Sequence, residues 1–380
     1  MVGKLRILWL GHWHSDQALF GRKAVNQAAT TWSRGLLQGL QNAGCEIRVG
    51  THCREQYWPG GEIYPGREED FDKSLPFNYV NYCNLPLIRK VWLTSAYKRM
   101  VAKQVAEFKP HYVLSYNLYS YHCCVADIIR EAGSRWIPII LDQDNPDHDN
   151  WHEFKQQSEG ASGYIFLSWW GYKNCPGDLP KLHLDGGVDR WKGEVGAVKR
   201  GKLVVYSGKY NDSYGGLDAL FEIFKRVETA DCKFCLTGKD ARGSLKNYLN
   251  KESRAEYLGF VSCDDLHNIH LKADAFINPR PPEISDNKMI FPSKLLNYLS
   301  YGKPVISTWT EGLAPEYKDL VWCSLSGEHY IEESAALIDR ALNAPKEESE
   351  HIYKRQKGWI ESGHTWAHQC RHLVEWLNEI

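Results

Sequence analysis

Short apolar runs alternate with stretches of helical periodicity along almost the whole chain, and this alternation narrows its fold more than any other feature. Leu5–Gly11, Glu46–Thr51, Tyr112–Asn117, Trp136–Asp142, Gly163–Ser168 and Lys181–Leu184 read as strands, with helical stretches such as Asn26–Asn42 and His122–Ala132 between them. Strand-helix-strand repetition gives a mainly parallel sheet with helices on both faces. The pattern halts in the Gly- and charge-rich stretch Arg190–Lys202 and then restarts. Leu203–Ser207, Lys233–Thr237, Glu256–Phe260, Ala273–Asn278, Pro304–Thr308 and Leu320–Ser324 form a second set of strands. The expected fold is therefore α/β, with two Rossmann-like doubly wound domains, 1–192 and 193–364, facing a cleft. The amphipathic stretch 365–380 is expected to pack back on the first domain. Ligands of such sheets sit at the carboxyl ends of the strands.

Composition removes several classes of function. At 380 residues the chain exceeds one ordinary core. Its 46 Lys+Arg against 47 Asp+Glu argue against a nucleic-acid partner, which would select a basic excess. The 43% hydrophobic and 24% charged fractions exclude disorder, collagen and coiled coil. No apolar run reaches the roughly 18 residues of a membrane span. The opening Met1–Leu10 is interrupted by Arg6 and reads as a first strand rather than a signal peptide. The 11 scattered cysteines read as free thiols of a cytoplasmic protein. Cys232 and Cys235 lack the second pair a zinc ribbon needs. The 15 Trp and 21 Tyr suit cores, sugar platforms and membrane interfaces alike.

The second half carries the more specific motifs. Val205-Tyr206-Ser207-Gly208-Lys209 ends a strand, and Gly215-Gly216 opens the helix that follows. Free backbone N–H groups at such a helix start suit a diphosphate, and Lys209 adds a cation. The same residues also fit a tight turn with a solvated lysine. Further on, Asn278-Pro279-Arg280 precedes Phe291-Pro292-Ser293-Lys294-Leu295-Leu296-Asn297-Tyr298-Leu299-Ser300-Tyr301-Gly302-Lys303-Pro304-Val305. Pro292 at a helix start leaves the next N–H groups free, and Ser293, Lys294 and Arg280 supply a hydroxyl and two cations beside them.

This block resembles the family-4 glycosyltransferases, retaining GT-B enzymes, and most of all their bacterial capsule, exopolysaccharide and O-antigen branch. Glu311-Gly312-Leu313-Ala314-Pro315-Glu316-Tyr317 continues the likeness. The resemblance implies a UDP- or GDP-linked sugar donor on the second domain, a glycan or lipid-linked oligosaccharide acceptor on the first, and metal-independent transfer by front-face attack. It places Gly208, Lys209, Gly215, Arg280, Lys288, Ser293, Lys294 and Asn297 at the donor. Tyr214 and Met289 depart from the family pattern. A diphosphate cation is missing at Tyr214, and Arg280, Lys288 or Lys294 stands in for it. Asn297 takes the place of a glutamate that accepts from the ribose hydroxyls, and its amide oxygen is expected to do the same.

In the first domain, Gly11-His12-Trp13-His14 ends the first strand and Gly21-Arg22-Lys23 leads into a helix. By the resemblance, Gly21 lets backbone approach the donor phosphate, with Arg22 or Lys23 adding charge. The segment also reads as a surface loop. Asp142 and Asp144 close a strand at its carboxyl end and are the candidate catalytic acids. His148 and His152 stand four apart without a third ligand of diagnostic spacing, so no metal is expected.

Leu85–Lys103 holds five cations and no acid. On a helix, Leu93, Tyr97, Met100 and Val101 would face a core, and Trp92, Arg99 and Lys103 would share an outer face. A tryptophan among cations suits peripheral contact with an anionic membrane on its cytoplasmic side. The expected function is sugar transfer in cell-surface polysaccharide synthesis. A degenerate glycan- or partner-binding subunit and a nucleotide-sugar epimerase are the alternatives.

Overall fold

The computed structural model describes residues 4–141, 151–194, 201–210, 216–240, 243–281, 288, 290–324 and 329–380. The chain forms two compact units. Unit 1 is residues 1–187 with 366–380, and unit 2 is residues 188–365.

Unit 1 is built on a seven-stranded parallel sheet of β1 (Arg6–Leu10), β2 (Glu46–Thr51), β3 (Phe77–Tyr79), β4 (Tyr112–Tyr116), β5 (Arg135–Ile140), β6 (Tyr164–Phe166) and β7 (Lys181–His183), in the order β3-β2-β1-β4-β5-β6-β7. The central strands are buried on both faces, as their unbroken apolar runs require. Strand β3 is a three-residue edge strand too short for a periodicity signal. The helix expected over His122–Ala132 is two short helices, Ser120–Cys123 and Ala126–Glu131. The helix Gln27–Asn42 is capped by Asn26, whose side chain accepts from the N–H of Ala29 at 3.3 Å. The last helix, Trp366–Glu379, lies against it. Gly35 and Gly39 permit that approach, because a Cβ at either would strike Trp366 or Cys370. Trp366 meets Trp32 edge to face at 5.6 Å, and Leu373 and Leu377 are fully buried.

Unit 2 holds a six-stranded parallel sheet of β8 (Leu203–Lys209), β9 (Lys233–Lys239), β10 (Ala255–Tyr257), β11 (Ala275–Asn278), β12 (Val305–Thr308) and β13 (Trp322–Ser324), in the order β10-β9-β8-β11-β12-β13. The strand order reverses between β8 and β11. Chain crossovers leave that point on opposite sides and open a crevice at the strands' carboxyl ends. Beyond Val205 the two strands part, and the hydroxyl of Tyr298 takes over, accepting from the N–H of Ser207 at 2.7 Å and donating to its carbonyl at 3.2 Å.

Candidate functional site

At that reversal the structure brings together several of the residues expected at a donor diphosphate. Gly208 lies near the carboxyl end of β8, and Lys294 opens the helix Lys294–Leu299. A Cβ at Gly208 would stand 2.8 Å from Lys294 Nζ, so a side chain there would have to displace the ammonium. That ammonium lies 4.0 Å from the centre of the Tyr206 ring. Burial pushes the Lys294 pKa down, Tyr206 partly restores it, and Arg280 lowers it further. The cation is thus held where a phosphate would relieve its desolvation. Ser293 sits at the start of this helix and makes no side-chain cap bond.

The second wall is the start of the helix Leu217–Arg226. Gly216 adopts φ +61° there, and a Cβ on it would lie 2.8 Å from the carbonyl oxygen of Pro279. This close approach seats the helix start against the loop that carries Arg280, whose backbone N–H donates to Thr308 Oγ1 at 3.2 Å. Lys288 is half-buried in the chain leading to Lys294. The backbone of Lys209 ends β8 beside Lys239. The side chain of Lys209, and the whole of Gly215, Asp142, Asp144 and His148, lie outside the described residues.

Asn297 is engaged within the protein. Its amide oxygen already accepts from Lys192 Nζ at 2.9 Å. Its amide nitrogen faces Nδ1 of His270 at 3.4 Å, and Nε2 of His270 meets Ser207 Oγ at 2.9 Å. Thr237 Oγ1 donates to the same serine oxygen at 2.9 Å. An amide N–H can only donate, so Nδ1 accepts and the His270 proton sits on Nε2. Burial, helped by Lys192, pushes His270 down to about 3 and keeps it neutral. Lys192 is the residue that sequence reasoning missed. Its only signal was a charge in the Gly-rich stretch between the two strand sets.

In unit 1 the expectation for Arg22 is corrected. Its guanidinium is bound to Asp70 and Glu55, each at 2.7 Å, and to Glu62 at 3.5 Å, so three carboxylates already compensate it. Gly21 ends the helix Asp16–Gly21 with open space where a Cβ would stand. On the helix Arg89–Phe108, Leu93, Tyr97 and Val101 are buried as expected, and Trp92, Arg99 and Lys103 are exposed. Leu87 and Val91, 92% and 71% exposed, extend the outer face beyond what was expected, and Ile88 is exposed beside them. Among the described residues no helix is long and apolar enough to cross a membrane, and no cluster of three or more His, Cys, Asp or Glu could hold a metal ion.

Residues 201–342 match the model of the family described as Glycosyl transferases group 1. That stretch is similar to the group 1 glycosyl transferases, and the fold is GT-B. A sucrose-phosphate synthase from Thermosynechococcus elongatus superposes with a TM-score of 0.72 at 14% identity, covering 99% of both chains. A glycosyltransferase from Rickettsia africae gives 0.72 at 11% identity, over 99% of this chain and 98% of that one. The Anabaena protein HepE, solved with UDP, gives 0.66 at 13% identity, over 99% of this chain and 100% of that one. These likenesses establish the fold. A search by sequence among curated proteins finds no match.

Proposed function

We propose that this GT-B protein transfers a hexosyl group, with retention, from a UDP- or GDP-linked donor to a glycan or lipid-linked acceptor in cell-surface polysaccharide synthesis. One observation carries the reading. Gly208 leaves space for the half-buried Lys294 ammonium at the strand-order reversal of unit 2, beside Arg280 and the Gly216 helix start. Two cations and free backbone N–H groups at one crevice are the chemistry a nucleotide diphosphate needs. In front-face transfer these groups stabilise the charge growing on the leaving diphosphate, and the diphosphate oxygen takes the acceptor's proton. Asp142 and Asp144 are the acids assigned to the sugar. The UDP bound in the similar HepE structure supports the choice of nucleotide.

Contact with the cytoplasmic face of an anionic membrane is the second part of the proposal. It rests on the exposed Leu87, Ile88, Val91 and Trp92, set beside Lys90, Lys98, Arg99 and Lys103. The engagement of Asn297 by Lys192 favours one competing reading, a binding subunit without turnover. Calorimetric titration with UDP and GDP, followed by release of nucleotide from a panel of nucleotide sugars with glycan acceptors, decides between them. Failure of both nucleotides to bind removes the donor reading. Binding without acceptor-dependent release leaves the binding subunit.

A further inference from the structure

Unit 1 has a pocket of its own where its strand order reverses, between β1 and β4. His12 and His14 follow β1, His52 and Arg54 follow β2, and Tyr119 and His122 follow β4, and all of them line it. The left-handed backbone of Asn117, φ +56°, turns the chain out of β4 toward this cluster.

Arg54 is the unusual member. Its guanidinium donates to the Tyr119 hydroxyl at 3.2 Å and to His12 Nε2 at 3.3 Å, and lies 4.8 Å from the Tyr119 ring centre. Among the described residues no carboxylate comes within ion-pair distance of it. The adjacent Glu55 pairs with Arg22 instead. A half-buried cation without an acid is costly.

The imidazoles sharpen the picture. Arginine can only donate, so His12 Nε2 accepts and its proton is on Nδ1, which is buried and has no acceptor. Neither ring nitrogen of the fully buried His14 has a partner. His122 Nδ1 donates to the carbonyl of Asn117 at 3.3 Å, leaving the Nε2 lone pair unmatched. His52 is satisfied by Tyr97 at 2.8 Å. Native interiors rarely leave so many polar nitrogens unmatched in one place. An anion with several oxygens would match both the cation and these nitrogens.

We propose that this pocket binds a phosphoryl group, with Arg54, the Tyr119 hydroxyl and the ring N–H groups of His12 and His14 as its donors. A P–OH or a neighbouring hydroxyl of the ligand donates to His122 Nε2. The donors come from three strand ends and suit the three terminal oxygens of a phosphate monoester better than the two of a carboxylate. The cavity among them is only about 10 Å³, so the ligand enters by a phosphoryl oxygen and the side chains open around its tip. A phosphorylated sugar and a lipid phosphate both present that tip. The proposal rests on unit 1 alone and does not depend on the donor reading of unit 2.

The test is titration of the full chain with inorganic phosphate, glucose 1-phosphate and a short-chain phosphatidic acid, against acetate at equal ionic strength. Binding is read by calorimetry and by the ring-nitrogen resonances of the histidines. Phosphate is expected to move the His12 and His14 resonances. Arg54→Met should weaken phosphate by at least about tenfold, the loss of one charged hydrogen bond. Lys294→Ala, in unit 2, should leave this binding intact, which separates it from phosphate held at the donor site. Without phosphate, Arg54→Met should melt no lower than the parent, because it removes an unpaired cation. If Arg54→Met fails to fold, Arg54→Lys should bind phosphate more weakly than the parent. Equal phosphate affinity in the Arg54 variants, unmoved His12 and His14 resonances, or acetate binding as tightly as phosphate would overturn the proposal. Preference between the sugar and lipid phosphates names the source.

Discussion

Lys192 Nζ donates to the amide oxygen of Asn297 at 2.9 Å, across 105 residues of chain. Burial pushes this lysine's pKa down, so its proton and its partner are coupled. Removing the amide leaves a half-buried ammonium unpaired, whereas Asn297→Glu gives it a counter-ion. Asn297→Ala should lower the melting temperature and weaken nucleotide binding, and Asn297→Glu should preserve or improve both. In a double-mutant cycle, Lys192→Ala and Asn297→Ala should couple by roughly 0.5–3 kcal/mol in nucleotide affinity. Additive effects would detach the pair from the donor.

Lys294→Ala should cost roughly 1.5–3 kcal/mol of nucleotide-diphosphate binding while the fold survives, since one charged hydrogen bond is lost. Gly208→Ala should mimic it by pushing the ammonium out of place, because the added methyl would stand 2.8 Å from Nζ. Combining the two should add little. Calorimetry with UDP or GDP reads all three variants, and full affinity in Lys294→Ala would take this lysine out of the site.

Asp144→Asn should lower kcat more than it weakens the donor, because a group that acts at the sugar is used most in the transition state. Steady-state kinetics over a range of donor concentrations measures the split. Unchanged turnover would make the acid run a loop feature.

Acid should unfold the protein early. His14, His122 and His270 are each held down to about 3 from an ordinary 6.5, by burial first of all. The unfolded chain therefore binds protons that the folded one refuses. Stability is complete above pH 6.5 and falls as the pH drops from there toward 3. The slope is about 1.4 kcal/mol per pH unit for each histidine. Melting temperatures across pH 7.5 to 4.5 check this, and a flat profile would contradict it.

Membrane contact should depend on both halves of the outer face of the helix Arg89–Phe108. Each cation near an anionic bilayer is worth about 1 kcal/mol, and the attraction fades once salt shortens the Debye length below about 8 Å. Arg99→Glu with Lys103→Glu should abolish flotation with anionic liposomes, and Trp92→Ser with Val91→Ser should weaken it at every salt concentration. Nucleotide binding should persist in both. Flotation that ignores the charge reversal would argue against this face.

The legible part of this protein was local in sequence. Strand runs, the helix start at Pro292-Ser293-Lys294 and the glycine at 208 each express a backbone requirement within a few residues, so the α/β class and the Lys294 cradle could be read from order alone. The buried and exposed faces of the helix Arg89–Phe108 followed from its periodicity in the same way. Tertiary structure decided which charges remain available. Arg22 looked like a donor cation, yet Glu55, Glu62 and Asp70 reach it from distant loops. Arg54 carried no signal at all, yet among the described residues no carboxylate pairs with it. Pairing of charges depends on which loops the sheet order brings to the same strand ends, and that is settled by packing across many tens of residues, beyond the reach of any local pattern.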